Sequence, residues 1–203
     1  MFQVRLGVMC GLLAFSSLSL AESVQTLSAH DILRAESDSL EIRPRYMLLG
    51  PNNRAVSDET FRGRYQLIAF GYTFCPDICP TTLVEVAEIL KQLGDEAEKV
   101  QPIFISIDPD RDTAQVLKTY TEFFDRRILG LTGSPALVQR AARNFKIRYA
   151  KVPAQDGNPQ NYAVDHAAGL ILLGPDGLFL KKFAYGTPVE SVSASLKSFL
   201  QSR

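Results

Sequence analysis

Apolar runs in the central part of the chain predict β-strands that alternate with amphipathic helices. Residues 65–72 are almost continuously apolar, as expected for a central strand that is covered on both faces, and a further strand is expected over 102–107. Apolar residues recur at helical spacing in 83–93, and a second helix is expected over 113–124. Strands that alternate with helices favour the α/β class.

The C-terminal half of the pattern adds shorter strands and a hairpin. Apolar runs at 128–131 and 147–152 predict two strands, separated by a helix that opens with a Ser-Pro pair. Strands at 169–173 and 178–183 flank a Gly-Pro-Asp-Gly turn, and a last helix follows. This order predicts a thioredoxin-like α/β fold: a central mixed sheet flanked by helices, with extra strands and an inserted hairpin.

The N-terminus has the pattern of a secretory signal. A positively charged start leads into the apolar residues 6–20, and a Ser-Leu-Ala sequence then places small residues at a cleavage site. The apolar run is shorter than the roughly 20 residues that span a bilayer. We expect a signal peptide over 1–21, a polar lead-in over 22–45, a single domain over 46–203 and a periplasmic location. Membrane association is expected only if the leader is retained.

Charge and cysteine content reduce the number of candidate functions and of candidate site residues. Lysine plus arginine number 22, and so do aspartate plus glutamate. The chain therefore lacks the excess of basic residues that would indicate a nucleic-acid partner. Of the three cysteines, Cys10 lies in the predicted signal, which leaves Cys75 and Cys79. The periplasm is oxidising, so these thiols need a reductant to stay reduced.

Cys75 and Cys79 directly follow the predicted strand 65–72. Thr82 and Glu85 have the pattern of a capping box, so a helix is expected to begin at Thr82. A strand followed by a helix places both sulfurs at the carboxyl end of the sheet, where α/β folds commonly hold their sites. The pair could form a disulfide, bind a soft metal, or do both in turn. A permanent disulfide would enclose too few residues to add much stability.

Of the two histidines, only His166 is a strong candidate ligand. His30 lies in the polar lead-in, whereas His166 lies between a turn-rich loop and a predicted buried strand. Two thiolates and one imidazole suit copper, because sulfur selects Cu(I) and imidazole keeps Cu(II) accessible. Zinc would accept these donors too, but structural zinc usually has four protein ligands. Asp165 either hydrogen-bonds the imidazole or is a solvated loop carboxylate, and both interpretations stay open.

The segment that contains the cysteines resembles the signature of the Sco/SenC family of copper chaperones for cytochrome c oxidase assembly. Three further blocks agree in order and spacing, and the resemblance covers about residues 46–200. The matching stretches are Phe70-Gly71-Tyr72-Thr73-Phe74-Cys75-Pro76-Asp77-Ile78-Cys79-Pro80-Thr81-Thr82, Ser106-Ile107-Asp108-Pro109-Asp110-Arg111-Asp112-Thr113, Gly130-Leu131-Thr132-Gly133-Ser134, and Val164-Asp165-His166 with Gly174-Pro175-Asp176-Gly177.

The resemblance implies a thioredoxin-like fold that binds copper, Cu(I) or Cu(II), through Cys75, Cys79 and His166. It also implies that copper, or reducing equivalents, pass to the binuclear copper site of cytochrome c oxidase subunit II. A periplasmic copper donor and a thiol reductant are the other expected partners. Many relatives keep an N-terminal membrane anchor, whereas the leader of this chain has the pattern of a cleavable signal.

The competing hypothesis is a periplasmic thiol–disulfide oxidoreductase in which Cys75 or Cys79 attacks a partner disulfide. A thiol peroxidase is a more remote variant. Dedicated oxidoreductases of this fold use two residues between the cysteines, whereas this chain has three. The longer gap and His166 favour a metallochaperone without turnover over an enzyme.

Overall fold

The computed structural model describes residues 42–155, 158 and 161–202, all within one unit, Ser39–Arg203. The predicted signal peptide, His30 and most of the predicted lead-in lie outside the described residues, so the domain boundaries stay predictions. No helix in the described part of the chain is long and apolar enough to cross a membrane.

Nine strands and four α-helices form the described chain, together with three 3₁₀ segments, Pro51–Asn53, Asp58–Phe61 and Gly94–Lys99. In chain order the elements are β1 (Met47–Leu49), β2 (Ala55–Ser57), β3 (Tyr65–Gly71), α1 (Ile78–Leu93), β4 (Val100–Ser106), α2 (Ala114–Phe124), β5 (Leu129–Leu131), α3 (Pro135–Asn144), β6 (Tyr149–Pro153), β7 (Tyr162–His166), β8 (Gly169–Leu173), β9 (Phe179–Ala184) and α4 (Val189–Gln201).

Five strands form the central sheet in the order β5-β4-β3-β8-β9. β3 and β5 both run parallel to β4, whereas β8 runs antiparallel to β3 and β9, so the sheet is mixed. Every residue of β3 and β4 is buried, which explains why both strands are apolar almost throughout. The predicted α/β fold with a central mixed sheet is confirmed.

Helix α1 begins earlier than the capping-box pattern predicts, and that expectation was wrong. The helix starts at Ile78, and Thr82 lies inside it, where its hydroxyl donates to the Ile78 carbonyl at 2.9 Å. Pro80 is tolerated so near the helix start because the first amide groups of a helix have no partner within it. Cys79 therefore belongs to the first helical turn and Cys75 to the preceding loop.

Two hairpins lie outside the central sheet. In the first, β1 pairs with β2, and Leu49 is joined to Thr132 by a β-bridge. In the second, β6 pairs antiparallel with β7, with Tyr149 opposite His166. The sequence predicts β6 but not β7, so His166 lies in a strand of its own rather than in the approach to β8.

Candidate functional site

The two cysteines lie where the central strand β3 passes into helix α1. Cys75 is half-buried in the connecting loop, and its amide N–H donates to the Tyr72 carbonyl at 3.3 Å. Cys79, in the first turn of α1, is buried. Both are free thiols. The structure thus brings the predicted pair together at the carboxyl end of β3 without joining them covalently.

The two thiols differ strongly in acidity. Partial burial acts to raise the pKa of Cys75, but hydrogen bonds from the amides of Asp77, Cys79 and Ile78 and from the Cys79 thiol outweigh it, so this pKa lies below its usual value. Burial raises the pKa of Cys79 to about 12, and the neighbouring Cys75 adds to the shift. Cys75 is therefore the more readily ionised thiol, and a nearby cation would favour the thiolate of Cys79.

His166 has a ring nitrogen that suits a metal. Its Nδ1 lies 3.0 Å from the Val164 carbonyl, which can only accept, so in the neutral ring Nδ1 carries the proton. The lone pair therefore resides on Nε2, which is shielded from solvent and has no hydrogen-bond partner. A metal-binding histidine is commonly oriented by this kind of bond from its other nitrogen.

Tyr72 contacts both the imidazole of His166 and the thiol of Cys79. Its ring meets the His166 ring edge-on, with centroids 6.1 Å apart, and its backbone hydrogen-bonds the Cys79 sulfur. In the described part of the chain no three His, Cys, Asp or Glu side chains lie close enough together to hold a metal ion. The ligand set of Cys75, Cys79 and His166 stays a prediction.

Asp165 neighbours His166 on β7, but the structure gives the Nδ1 hydrogen bond to Val164 instead. The Asp165 side chain is exposed, whereas Val164 is buried and His166 half-buried. Successive residues of a strand point to opposite faces, so Asp165 points away from the face that carries His166. Support of the imidazole by Asp165 stays a prediction.

A buried carboxylate that the sequence analysis did not single out holds the thiol loop in place. Asp112 accepts hydrogen bonds from the Thr73 amide at 3.1 Å, the Thr73 hydroxyl at 2.5 Å and the Ser106 hydroxyl at 2.6 Å. Burial raises the pKa of Asp112, and the hydrogen bonds from Ser106 and Thr73 act against that rise. Polar residues directly after a buried strand were the available sequence signal.

A second buried carboxylate lies beside the first. Asp108 is completely buried, forms an ion pair with Arg111 and accepts a hydrogen bond from the Tyr162 hydroxyl at 2.7 Å. Tyr162 is the first residue of β7, whose last residue is His166. The segment 106–113 therefore contacts both the thiol loop and the histidine-bearing hairpin.

Fold and site together define a thioredoxin-like protein with two free cysteines at the end of its central strand and an imidazole on a separate hairpin. The sequence profile described as SCO1/SenC matches residues 34–201. The chain belongs to the SCO1/SenC family.

Individual relatives agree with this assignment. The human "Protein SCO2 homolog, mitochondrial" is 36% identical over 182 residues, which cover 81% of this chain and 67% of the relative. A structure of Bradyrhizobium japonicum ScoI with copper bound is 40% identical and superposes with a TM-score of 0.70, covering 78% of this chain and 99% of that one. BsSco, described as having a disulfide switch and as a member of the Sco family of cytochrome c oxidase assembly proteins, is 27% identical with a TM-score of 0.62, covering 81% and 96%.

Proposed function

We propose that this protein is a copper metallochaperone of cytochrome c oxidase assembly whose ligands are Cys75, Cys79 and His166. The observation that carries the proposal is the buried lone pair of His166 Nε2, which has no hydrogen-bond partner. The His166 ring contacts Tyr72, whose backbone also hydrogen-bonds the free thiol of Cys79. A buried polar atom without a partner is costly, so its retention favours a ligand that completes it.

The donor set suits a transferable copper ion. Two thiolates favour Cu(I), and the imidazole makes Cu(II) accessible as well. Bound copper would also lower the high pKa of Cys79, because a coordinated cation stabilises the thiolate that burial disfavours. Three protein ligands leave room for an incoming ligand from a partner. The copper-bound ScoI structure, at 40% identity, supports this choice of metal.

The proposed recipient is the binuclear copper site of cytochrome c oxidase subunit II. The description of BsSco as a member of a family of oxidase assembly proteins supports this class of partner. The N-terminal pattern supports delivery in the periplasm, where a copper donor and a thiol reductant would load the protein and keep it reduced.

Copper titration of the reduced protein, followed by metal analysis, tests the proposal. We expect about one copper per chain, lost when both cysteines are replaced by serine, since two thiolates and one imidazole form a single soft site. His166→Ala weakens Cu(II) binding sharply, whereas the control His30→Ala leaves it unchanged. Copper uptake no greater than that of the double serine variant would overturn the proposal.

A thiol–disulfide oxidoreductase is the second candidate, favoured by the unequal acidity of the thiols. The half-buried Cys75 thiolate would attack a partner disulfide and release one partner thiolate. Cys79, on losing its proton, would then displace the second partner thiolate, leaving the partner dithiol reduced and Cys75–Cys79 oxidised. An external dithiol would restore the starting state.

The His166→Ala variant distinguishes the metallochaperone from the thiol–disulfide oxidoreductase. A chaperone loses copper delivery to subunit II in this variant, whereas an oxidoreductase keeps its thiol exchange with an oxidised subunit II fragment. If His166→Ala abolished oxidase assembly while thiol exchange stayed intact, reductase activity would not account for the function.

A further inference from the structure

Arg111 lies where the thiol loop, the segment after β4 and the β6–β7 hairpin meet. Its guanidinium carbon is 4.6 Å from the centre of the Phe74 ring, on the thiol loop, and 3.7 Å from the centre of the Tyr162 ring, on β7. A third ring, that of Tyr72, is 5.7 Å away. A planar guanidinium stacks well on aromatic faces, so this one cation joins two segments that are distant in sequence.

Directional hydrogen bonds fix the same guanidinium. Nε forms the ion pair with the buried Asp108, and Nη1 donates to the Tyr162 carbonyl at 3.1 Å. The Tyr162 hydroxyl donates to the other Asp108 oxygen at 2.7 Å. The Arg111 side chain is only 13% exposed, so solvent screens these contacts little. Tyr162 is thereby held at its ring, its hydroxyl and its backbone.

We infer that Arg111 is a positioning residue that sets where His166 lies relative to the two thiols. The inference rests on the proposed copper site. Phe74, which stacks on one side of Arg111, directly precedes Cys75 in the chain. Tyr162, on the other side, begins the extended strand that ends at His166. All five residues of β7 are paired with β6, from Tyr162 opposite Pro153 to His166 opposite Tyr149, so fixing Tyr162 restrains the imidazole at the other end of the strand.

Lys151 provides a matched control on the same hairpin. Its ammonium lies 4.5 Å from the centre of the Tyr162 ring and bonds Asp110 at 2.6 Å, so it too combines a ring contact with an ion pair. Its side chain is 45% exposed and that of Asp110 is 55% exposed. Exposed pairs of this kind contribute little, and neither residue touches the thiol loop in the contacts described above.

Arg111→Lys is the sharpest test because it keeps the positive charge beside Asp108. It removes the forked set of guanidinium N–H donors and the flat surface that stacks on the aromatic rings. We expect its Cu(II) affinity to fall roughly tenfold, as for other residues that orient a metal ligand. The rate at which iodoacetamide modifies Cys75 in the metal-free protein should not change. Lys151→Met should match the wild type in both measurements.

A double-mutant cycle with His166→Ala separates positioning from general damage. If Arg111 acts through the imidazole, Arg111→Lys has no further effect on copper affinity once His166 is absent. Phe74→Leu, at an exposed position, removes one stacking ring and should give a smaller loss with the same dependence on His166. If Arg111→Lys does not fold, Phe74→Leu serves as the test in its place.

The possible outcomes bear on two separate claims, the positioning role of Arg111 and the proposed copper function. Wild-type affinity in Arg111→Lys and in Phe74→Leu overturns the positioning role while leaving the copper proposal intact. An equal loss in the His166→Ala background overturns it as well, since Arg111 would then support the fold and not the imidazole. A wild-type protein that binds no copper at all overturns the proposed function itself, and the positioning role with it.

Discussion

The sulfur of Cys79 lies in the space that a side chain at Gly71 would occupy. A Cβ at Gly71 would be 2.6 Å from Cys79 Sγ and 2.7 Å from the Phe104 ring. Gly71 is the last residue of the central strand β3, so the thiol lies directly against the backbone of the sheet. The absence of a side chain at this one position allows a cysteine in the following helix to be buried there.

Gly71→Ala should therefore disturb the thiol and the core together. Relief of both clashes requires movement of Cys79 and Phe104, or of the β3 backbone, and overpacking of this kind costs about 1–3 kcal/mol. We expect urea denaturation to show that loss in the free energy of unfolding, and copper titration to show weaker binding. Gly133→Ala is the control, because a Cβ there would have its nearest neighbours at 3.4 Å, an ordinary contact. Equal stability and equal copper uptake in the two variants would contradict this account of the site.

The unequal acidity of the thiols predicts an order of chemical modification. Burial raises the pKa of Cys79 to about 12, whereas the helix-start amides bring the pKa of Cys75 below its usual value. Cys79 would therefore be almost entirely protonated at pH 8. Brief treatment of reduced, metal-free protein with iodoacetamide should therefore modify Cys75 first, as peptide mass spectrometry would show. Comparable modification of Cys79 at early times would refute the assigned difference.

Asp112 should give the protein a specific pH dependence. Burial raises the pKa of Asp112 in the folded protein, so the folded state binds this proton more tightly than the unfolded state does. The stabilisation from this group is fully present below about pH 4, the unfolded pKa of a carboxyl group, and is lost as the pH rises through the folded pKa.

Asp112→Asn cannot titrate, yet it keeps an oxygen to accept hydrogen bonds from Ser106 and Thr73. We expect the free energy of unfolding of the wild type to fall relative to this variant as the pH rises from about 4. Urea denaturation of both proteins at several pH values measures the difference directly. A difference that stays constant, or that changes in the opposite direction, would show that the carboxyl pKa is not raised.

The central sheet and its connections could be predicted because their signals are local. The almost continuous apolar run of β3 indicates a strand buried on both faces, a shorter apolar run indicates β4, and the Gly-Pro-Asp-Gly turn indicates the β8–β9 hairpin. Thr113 and Ser134 cap α2 and α3 as the helix-start patterns suggest. The start of α1 was misplaced because Thr82 and Glu85 imitate a capping box inside a helix that Asp77 opens.

The site was only partly predictable because its supporting contacts are remote in sequence. The pairing of Cys75 with Cys79 follows from their spacing, and His166 follows from the scarcity of other soft donors. The strand that carries His166 has too little apolar periodicity to reveal itself, and Tyr162 at its start contacts Arg111, 51 residues away. Tertiary contacts of this kind leave no local pattern.

X-ray absorption spectroscopy of the copper-loaded protein, compared with His166→Ala, tests the central claim most directly. The account predicts that copper in the wild type has two sulfur ligands and one imidazole nitrogen, and that the variant keeps the sulfurs but loses the imidazole scattering. Unchanged imidazole scattering in His166→Ala, or copper without sulfur ligands in the wild type, would contradict it.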